Sequence, residues 1–586
     1  MNLNFKVYSS DDAKCLSWNI INMFNDIQFR LPITYCEELY TLPKDVVDDL
    51  ELSTVIYANL FKSGNHFGNH ISKEWCKQFT SNTKFLEDTQ CVVQNMKQFN
   101  NFSSIDTSRV IDIWHDTKCN SNFLEKYNYM DWEKLVHFNE SPLFLQIMSS
   151  INLISPIISL VIPLIILILP FFILQMRGVR LIFNEYLHVL KDIAVNHFFK
   201  GQFKANEMGY DKIIYVIIYI ALYGIQLYQN VTTCNRFYTN IQTVNQNLIY
   251  FKEYLGTIIQ KMNLFIDLNK YDTYKSFCDD IKEHLISLKH FHHKLSNITP
   301  FKINISKIND FGYMLSCYYE LKNTQIYDKS LKFSIGFEGY IDNMSCIHNY
   351  INNGSMSNAS FDNTCKKSMV ASKQIYPPHV HLTSIITNDI DLKRNIVITG
   401  PNASGKTTYL KTTAINIILS QQISCGFYQK CILNPFTCIH SYLNIPDTSE
   451  RDSLFQAESR RCKFILDTID NSPPNSRHFC IFDELYTGTS PREASKAAYS
   501  FLTYLNNYGN VNFILTTHYT ELCEKLSKST SKRSISTKKM NVNEVDGKIE
   551  YLYKISSGIS RVQGTRMIFE EMNYPKEIIN CFTNQL

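Results

Sequence analysis

Residues 395–408 read Asn395-Ile-Val-Ile-Thr399-Gly400-Pro401-Asn402-Ala403-Ser404-Gly405-Lys406-Thr407-Thr408. The first five form a short apolar run of the kind that makes a buried parallel strand. From Gly400 to Thr407 the spacing fits G-x-x-x-x-G-K-[ST], a phosphate-binding loop. Its glycines let the backbone curl until several N–H groups point inward at a polyphosphate. A helix predicted over 406–420 adds the positive end of its dipole. Lys406 is then placed to reach the outer phosphates, and the Thr407 hydroxyl to sit on Mg²⁺. ATP and Mg²⁺ are the ligands this pattern calls for.

Two more apolar runs end in chemistry. Phe479-Cys-Ile-Phe-Asp483-Glu484 puts two carboxylates at a strand end, the mouth of a parallel sheet, where ligands bind. Asp483 is assigned to the Mg²⁺ shell, and Glu484 to orienting and deprotonating the attacking water. Asn512-Phe-Ile-Leu-Thr516 is followed by Thr517-His518, and a His there can sense the γ-phosphate through a hydrogen bond. The predicted activity is Mg-dependent hydrolysis of ATP to ADP and phosphate, with Glu484, Lys406, His518 and Asn402 as the catalytic set.

GPNASGKTT at 400–408, SLFQAE at Ser453–Glu458, FDELYTGTS at Phe482–Ser490 and TTHYTEL at Thr516–Leu522 stand in the order and spacing of the MutS-family ATPase domain. Leu552–Gly558, Gly564 and Asn573-Tyr-Pro575 resemble that family's last strand and its helix-turn-helix dimerisation segment. The resemblance covers roughly residues 375–580, and the helices at 232–345 look like the family's core and lever region. It implies an ABC-type dimer with two composite ATP sites. Ser453 would then reach the γ-phosphate of the partner's nucleotide, and Asn402 would lie beside the attacking water. Thr489 and Ser490 would carry communication across the dimer. It also implies a DNA-binding ATPase of the mismatch-repair family, a homodimer acting on double-stranded DNA. The pattern is not complete. Thr487 replaces the family's Arg before Gly488, and Arg561-Val-Gln-Gly564 stands where a serine-rich segment is expected. The mismatch-reading Phe-x-Glu wedge has no domain around it: Phe138-Asn-Glu140 and Phe251-Lys-Glu253 read as coincidences of letters. The short N-terminal region and an apolar, transmembrane-like run at 151–175 are not standard for the family either, and in these the chain resembles the divergent MutS-like proteins of large DNA viruses.

Outside this region the sequence is less explicit. The net charge is +4, from 58 Lys+Arg against 54 Asp+Glu, so any nucleic-acid contact must come from local patches. Seventeen cysteines without a C-x-x-C pair point to no zinc or redox framework and to a reducing compartment. The N-terminus has no signal-peptide pattern. Residues 151–175 (INLISPIISLVIPLIILILPFFILQ) carry no charge, exceed the roughly 20 residues a bilayer needs, and are closed by Arg177 and Arg180. Pro156, Pro163 and Pro170 recur in it, and membrane helices tolerate such prolines better than soluble ones. The alternative for this run is a buried core helix. A second run, Ile213–Tyr228, is shorter and Tyr-rich; with the first it could form a membrane hairpin. The positive-inside rule draws the basic residues between them (Arg177, Arg180, Lys191, Lys200, Lys204, Lys212) to the cytosol, where the ATPase must also face. A hairpin sets these demands against each other; a single pass or a re-entrant Pro-bent segment avoids the conflict, though a single pass would translocate residues 1–150.

The fold expected is therefore an α/β P-loop, ABC-type ATPase domain over 365–586 with a C-terminal helix-turn-helix. Before it come an N-terminal region at 1–140, a hydrophobic region with a transmembrane segment at 141–230, and a helical core and lever region at 231–350. Residues 352–364 and the Ser/Thr-rich basic run 525–539 read as loops. The expected location is a membrane, with the ATPase domain in the cytosol; without an anchor it is cytoplasm or nucleus. The leading function is a DNA-binding, ATP-hydrolysing repair protein. Two rivals are a membrane-associated ATP-gated clamp without mismatch recognition, serving genome segregation, recombination or assembly, and a nucleotide-dependent structural dimer with weak turnover.

Overall fold

The computed structural model describes residues 29–584 except 63–64, 104, 179–181, 189–209, 302–308, 363–367, 383, 444, 446–452, 529–533, 546–547, 563–568, 570–571 and 573. Arg180, Lys191, Lys200, Lys204, Gly564 and Asn573, which entered the expectations above, lie outside the described residues. The described residues of 108–259 and 286–330 form one compact unit, and those of 20–107, 260–285 and 331–586 form the other.

The described residues begin with short helices, among them α1 (Lys44–Asp49) and α2 (Thr83–Asn95), and a two-stranded antiparallel pair, β1 (Leu39–Thr41) and β2 (Gln78–Thr80). Long helices follow: α3 (Pro142–Met176), α4 (Tyr210–Leu268), α5 (Lys275–Ser296), α6 (Phe311–Asn323) and α7 (Gln325–Asn352). Helix α3 starts on a Ser141 cap, whose Oγ accepts from Phe144 N, with Pro142 in the first turn. There a proline loses no bond the helix would have made. In the first unit, α4 buries Phe237, Ile241, Val244, Leu248, Phe251 and Leu255, spaced three or four residues apart as one helix face requires. Phe251 packs edge-on against Phe291, so it serves the core and not as a wedge. Helix α6 crosses the start of α3 at Gly312, where a Cβ would stand 2.1 Å from the Pro142 carbonyl.

Helix α3 is no core helix. Pro142–Pro163 is long and apolar enough to cross a membrane, and only 11% of that stretch is buried.

The second unit carries two sheets. One has the order β5-β4-β8-β3-β7, built from β3 (Ser357–Phe361), β4 (Met369–Gln374), β5 (Asn388–Asp391), β7 (Cys425–Gly426) and β8 (Lys430–Leu433). The other has the order β13-β12-β6-β11-β10-β9, from β6 (Ile396–Thr399), β9 (Cys438–Tyr442), β10 (His478–Asp483), β11 (Val511–Thr517), β12 (Ser536–Val545) and β13 (Lys548–Ser557). All its pairings are parallel except that of β13, an antiparallel edge. The three apolar runs read as strands are β6, β10 and β11, side by side with β11 in the middle. They are buried almost throughout, as runs without alternation require. Helices α8 (Lys406–Ile423), α9 (Leu454–Asp470), α10 (Pro491–Leu505) and α11 (Thr520–Lys528) belong to the same unit.

Two expected loops are partly strand. Ser357–Phe361 pairs with β7 and β8 and buries Ala359, so backbone bonding outweighs the polar side chains. In the basic run, α11 extends to Lys528 and Ser536–Lys539 open β12 against Ile396–Thr399. Buried Ile535 and Met540 fasten that stretch to the sheet, and 529–533 lie outside the described residues.

Candidate nucleotide site

Strand β6 ends at Thr399, the chain turns through 400–405, and α8 begins at Lys406. Gly405 has φ +92° and Ala403 φ +60°, the left-handed geometry that curls the loop. A Cβ on Gly400 would meet Ser404 Oγ at 2.7 Å. Ser404 Oγ is buried and has no hydrogen-bond partner in the loop. Lys406, 6% exposed, donates from Nζ to the carbonyls of Gly400 (3.0 Å) and Pro401 (3.2 Å). Burial lowers its pKa; Glu484 and Asp483 oppose that.

Strand β10 delivers the carboxylates to the same place. Thr407 Oγ1 donates to Asp483 Oδ2 at 2.8 Å, and the Thr516 hydroxyl of β11 holds the other carboxylate oxygen. At Glu484 the backbone takes φ +52°, a strained turn for a non-glycine residue. Its Oε1 stands 3.7 Å from Lys406 Nζ and 3.6 Å from His518 Nδ1. His518 is the largest influence holding the Glu484 carboxyl below its usual range, Lys406 adds to it, and burial works against both.

These groups border a cleft of about 590 Å³. Asn402 through Thr408 and Glu484 line it. Tyr376, His379, Leu382, Ile386, Asn388 and Tyr553 line it too, with Tyr409 also in the wall. This wall is mostly apolar and aromatic, as the linings of small-molecule sites are. It was not read from the sequence. Its residues come from 376–388 and 553, which no spacing rule joins to the loop. Asn388 ties the two parts together, donating to Tyr553 O (2.9 Å) and accepting from Ile555 N (2.9 Å).

The structure thus gathers Gly400 through Thr408, Asp483, Glu484 and His518 at one site. Ser453 is not among the residues that line the cleft. It caps α9, where its Oγ accepts from Gln456 N while the Gln456 side chain accepts from Ser453 N. Thr489 bonds Glu493 Oε2 (3.0 Å), and Ser490 precedes α10. A further residue went unread as functional: Glu458, 2% exposed, accepts from Thr487 N, Thr487 Oγ1 and Gly488 N, and so fixes the loop after Glu484.

The residues fit a magnesium nucleotide. A curled loop with an orphaned hydroxyl, a buried cation beside it and a Thr–Asp pair at the strand mouth are the donors such a ligand uses. Among the described residues no group of three or more His, Cys, Asp or Glu could hold a metal unaided.

Comparison with known proteins agrees with this geometry. Residues 396–586 match the family described as MutS domain V. The DNA mismatch repair protein MutS of Streptococcus mutans serotype c (strain ATCC 700610 / UA159) is 28% identical over 196 residues, 33% of this chain and 22% of that protein. That of Orientia tsutsugamushi (strain Ikeda) is 29% identical over 202 residues, 34% of this chain and 22% of the relative. For Bacteroides fragilis (strain YCH46) the values are 27% over 240 residues, 40% and 27%. The chain spans about a quarter of the length of the relatives it matches. Residues 396–586 are a MutS-superfamily ATPase domain, distantly and partially homologous to those of bacterial MutS proteins.

Proposed function

We propose that the chain is an ATP-gated, DNA-binding dimer of the MutS type that hydrolyses ATP at the cleft between the 400–408 loop and Glu484. The observation that carries the chemistry is the convergence of Thr407, Asp483, Glu484 and Lys406, with the Thr407–Asp483 hydrogen bond at its centre. Backbone N–H groups of 402–407 and the start of α8 bind the phosphates. Lys406 exchanges its loop carbonyls for phosphate oxygens. Thr407 and Asp483 would hold Mg²⁺, which would supply neutralisation of the phosphate charge. Glu484, kept ionised, takes a proton from water as its oxygen bonds the γ-phosphorus and the bond to the ADP oxygen breaks. Asn402 positions that water, and His518 orients Glu484. Ser453, free of the cleft of its own chain, serves the nucleotide of the second copy.

The relatives are named as DNA mismatch repair proteins, and that name supports duplex DNA as the partner here. The second reading, a membrane-bound ATP-gated clamp without mismatch recognition and with its ATPase domain in the cytosol, is favoured by the exposed apolar length of α3. Turnover measured with matched and mismatched duplexes at stated salt separates them; equal affinity for both would remove mismatch recognition. For the site itself, Lys406→Ala should abolish nucleotide binding. Glu484→Gln should keep binding and lose roughly a hundredfold or more in turnover. Full affinity and cleavage in Lys406→Ala would overturn the assignment.

A further inference from the structure

The prolines of α3 show what surrounds it. Each removes the N–H that would bond the carbonyl four residues earlier. Pro156 orphans the Asn152 carbonyl, and Ser155 Oγ donates to that oxygen at 3.2 Å. Pro163 orphans the Ser159 carbonyl, and here the donor comes from another helix: Tyr223 Oη of α4, at 3.1 Å. The Ser159 hydroxyl in turn donates to Pro156 O at 2.9 Å. An exposed helix in water has no need of such replacements, since solvent would supply them. In hydrocarbon every backbone polar group must find a partner inside the protein.

The same bonds define a pair. Ser159 meets Tyr223, and Leu153 O meets Cys234 Sγ at 3.5 Å, so the two helices run antiparallel. Along this pair, apolar side chains of both helices are exposed. Leu160, Val161 and Ile162 are consecutive and all exposed, and three neighbours at about 100° per residue sweep most of a helix circumference. Ile168, Leu169, Phe172 and Ile173 continue the surface on α3; Ile214, Ile217, Ile218, Ile220, Leu222 and Ile225 match it on α4. A protein groove covers one stripe of a helix, whereas lipid covers the whole sleeve. The lengths agree. The 35 residues of α3 hold no charged side chain and extend about 52 Å at 1.5 Å per residue. On α4 the uncharged stretch from Ile213 to Asn235, between Lys212 and Arg236, extends about 35 Å. Both exceed the hydrocarbon thickness of about 30 Å.

We infer that α3 and the first part of α4 form a two-helix hairpin that spans a lipid bilayer, so that Ser141 and Arg236 lie on one face of the membrane and Arg177 and Lys212 on the other. The inference rests on the membrane reading above and is independent of the ATPase chemistry. It assigns the occupant of the sleeve and sets the basic residues between the two helices on the face opposite Ser141 and Arg236.

The full chain, translated in the presence of microsomes, should resist carbonate extraction. Trypsin added outside should then leave one undivided fragment from Leu135 to Arg236, because Arg177 and Lys212 are shielded. Cleavage at Arg177 or Lys212 in carbonate-resistant protein would overturn the hairpin and leave a single-span anchor standing. Release by carbonate would overturn both, and a released oligomer would put a second copy on the sleeve. The double substitution Ile158→Asp with Ile217→Asp alters two exposed positions. It should move the chain to the carbonate supernatant while ATP turnover of the purified protein stays unchanged; retention in the membrane would count against lipid contact at these faces.

Discussion

Glu484 shares its carboxylate oxygen between a lysine and a histidine, and the two contacts differ in consequence. Lys406 is occupied by the Gly400 and Pro401 carbonyls, so its help to Glu484 is partial. His518 is the larger influence. A depressed carboxyl stays charged throughout the neutral range and loses its charge only as pH falls through the lowered value. The acid limb of kcat/KM, assayed by brief pH jumps, should therefore lie below the ordinary glutamate value. In His518→Ala, burial is left to push the pKa up against Lys406 alone, and the limb should move to higher pH. An unmoved limb would strip His518 of that role. The aromatic wall predicts a different phenotype. If Tyr376 and Tyr553 stack on the base, replacing either by Ala removes about 1 kcal/mol of ground-state binding, or roughly fivefold to tenfold in nucleotide KM, with kcat nearly unchanged. Equal falls in kcat and kcat/KM would place these rings on the reacting end instead. The phosphate side of the cleft was legible because a tight loop and a buried strand leave local marks: fixed glycine spacing and short apolar runs. The base side was not, since Tyr376 and Tyr553 are far apart in sequence and reach one cleft only in the folded chain, where Asn388 ties their segments together.

At the scale of elements, two buried polar devices hold the ATPase sheet and its loops. Glu458 on α9 grips the loop after β10 through three hydrogen bonds, and Gly488 allows the approach: a Cβ there would lie 2.6 Å from Phe455 N. The Glu of SLFQAE was visible in the sequence, but its grip on Thr487 and Gly488 depends on how α9 docks. Glu458→Ala leaves two N–H groups and a hydroxyl without their acceptor, at about 1–3 kcal/mol per buried group. The melting temperature should fall by several degrees, and turnover should fall while nucleotide binding persists. Intact turnover would show that the loop holds its place unaided. The second device joins β9 to β10: His440 Nε2 and His478 Nδ1 are 3.0 Å apart, both rings buried and stacked. Burial, with repulsion from His478, lowers His440 to about 3, and burial lowers His478 to about 4. Unfolded imidazoles take up protons below about pH 6.5 and the folded pair does not, so the unfolded chain gains protons first. Stability should fall from about pH 6.5 at up to about 1.4 kcal/mol per ring per pH unit, more gently below about 4 where His478 protonates in the fold, and level off near pH 3 where His440 follows. Urea midpoints at pH 7.5 and 5 should differ less in a His440→Phe, His478→Phe double variant than in the parent. An equal difference would acquit the pair.

On the scale of the molecule, the ATPase domain is not bounded where its motifs begin. Helix α8, which starts at the phosphate loop, is buried along nearly its whole length, polar residues included. Part of its cover comes from the first hundred residues, within the same compact unit. Gln421 Nε2 donates to Thr80 O (2.9 Å) across 341 positions of sequence, and Gln422 donates to Trp75 O and Gln78 O while accepting from the Tyr57 hydroxyl. Gln90 donates to Ala359 O and Ser424 Oγ, each at 2.7 Å. Asp49, at the end of α1, accepts from Ser441 Oγ on β9, and Asp45 pairs with Arg461 on α9. No local periodicity announces such a partner. A polar-flanked helix in residues 29–107 looks the same whether it covers a neighbour or stands alone, and only the unbroken burial of α8 demands a second surface. A fragment 365–586, cut where the family likeness begins, would carry every phosphate and metal residue named above and lack this cover. It would expose α8 and leave the side-chain amides of Gln421 and Gln422 short of their acceptors, at about 1–3 kcal/mol for each group that stays buried. Against a total stability of about 5–15 kcal/mol for a domain, those losses and the bared apolar surface are decisive. The fragment should therefore bind a hydrophobic dye and melt without a cooperative transition, whereas the full chain in detergent should melt cooperatively and respond to added ATP and Mg²⁺. A cooperative melt of 365–586 at the temperature of the parent would show that the N-terminal cover contributes nothing to the fold of the site.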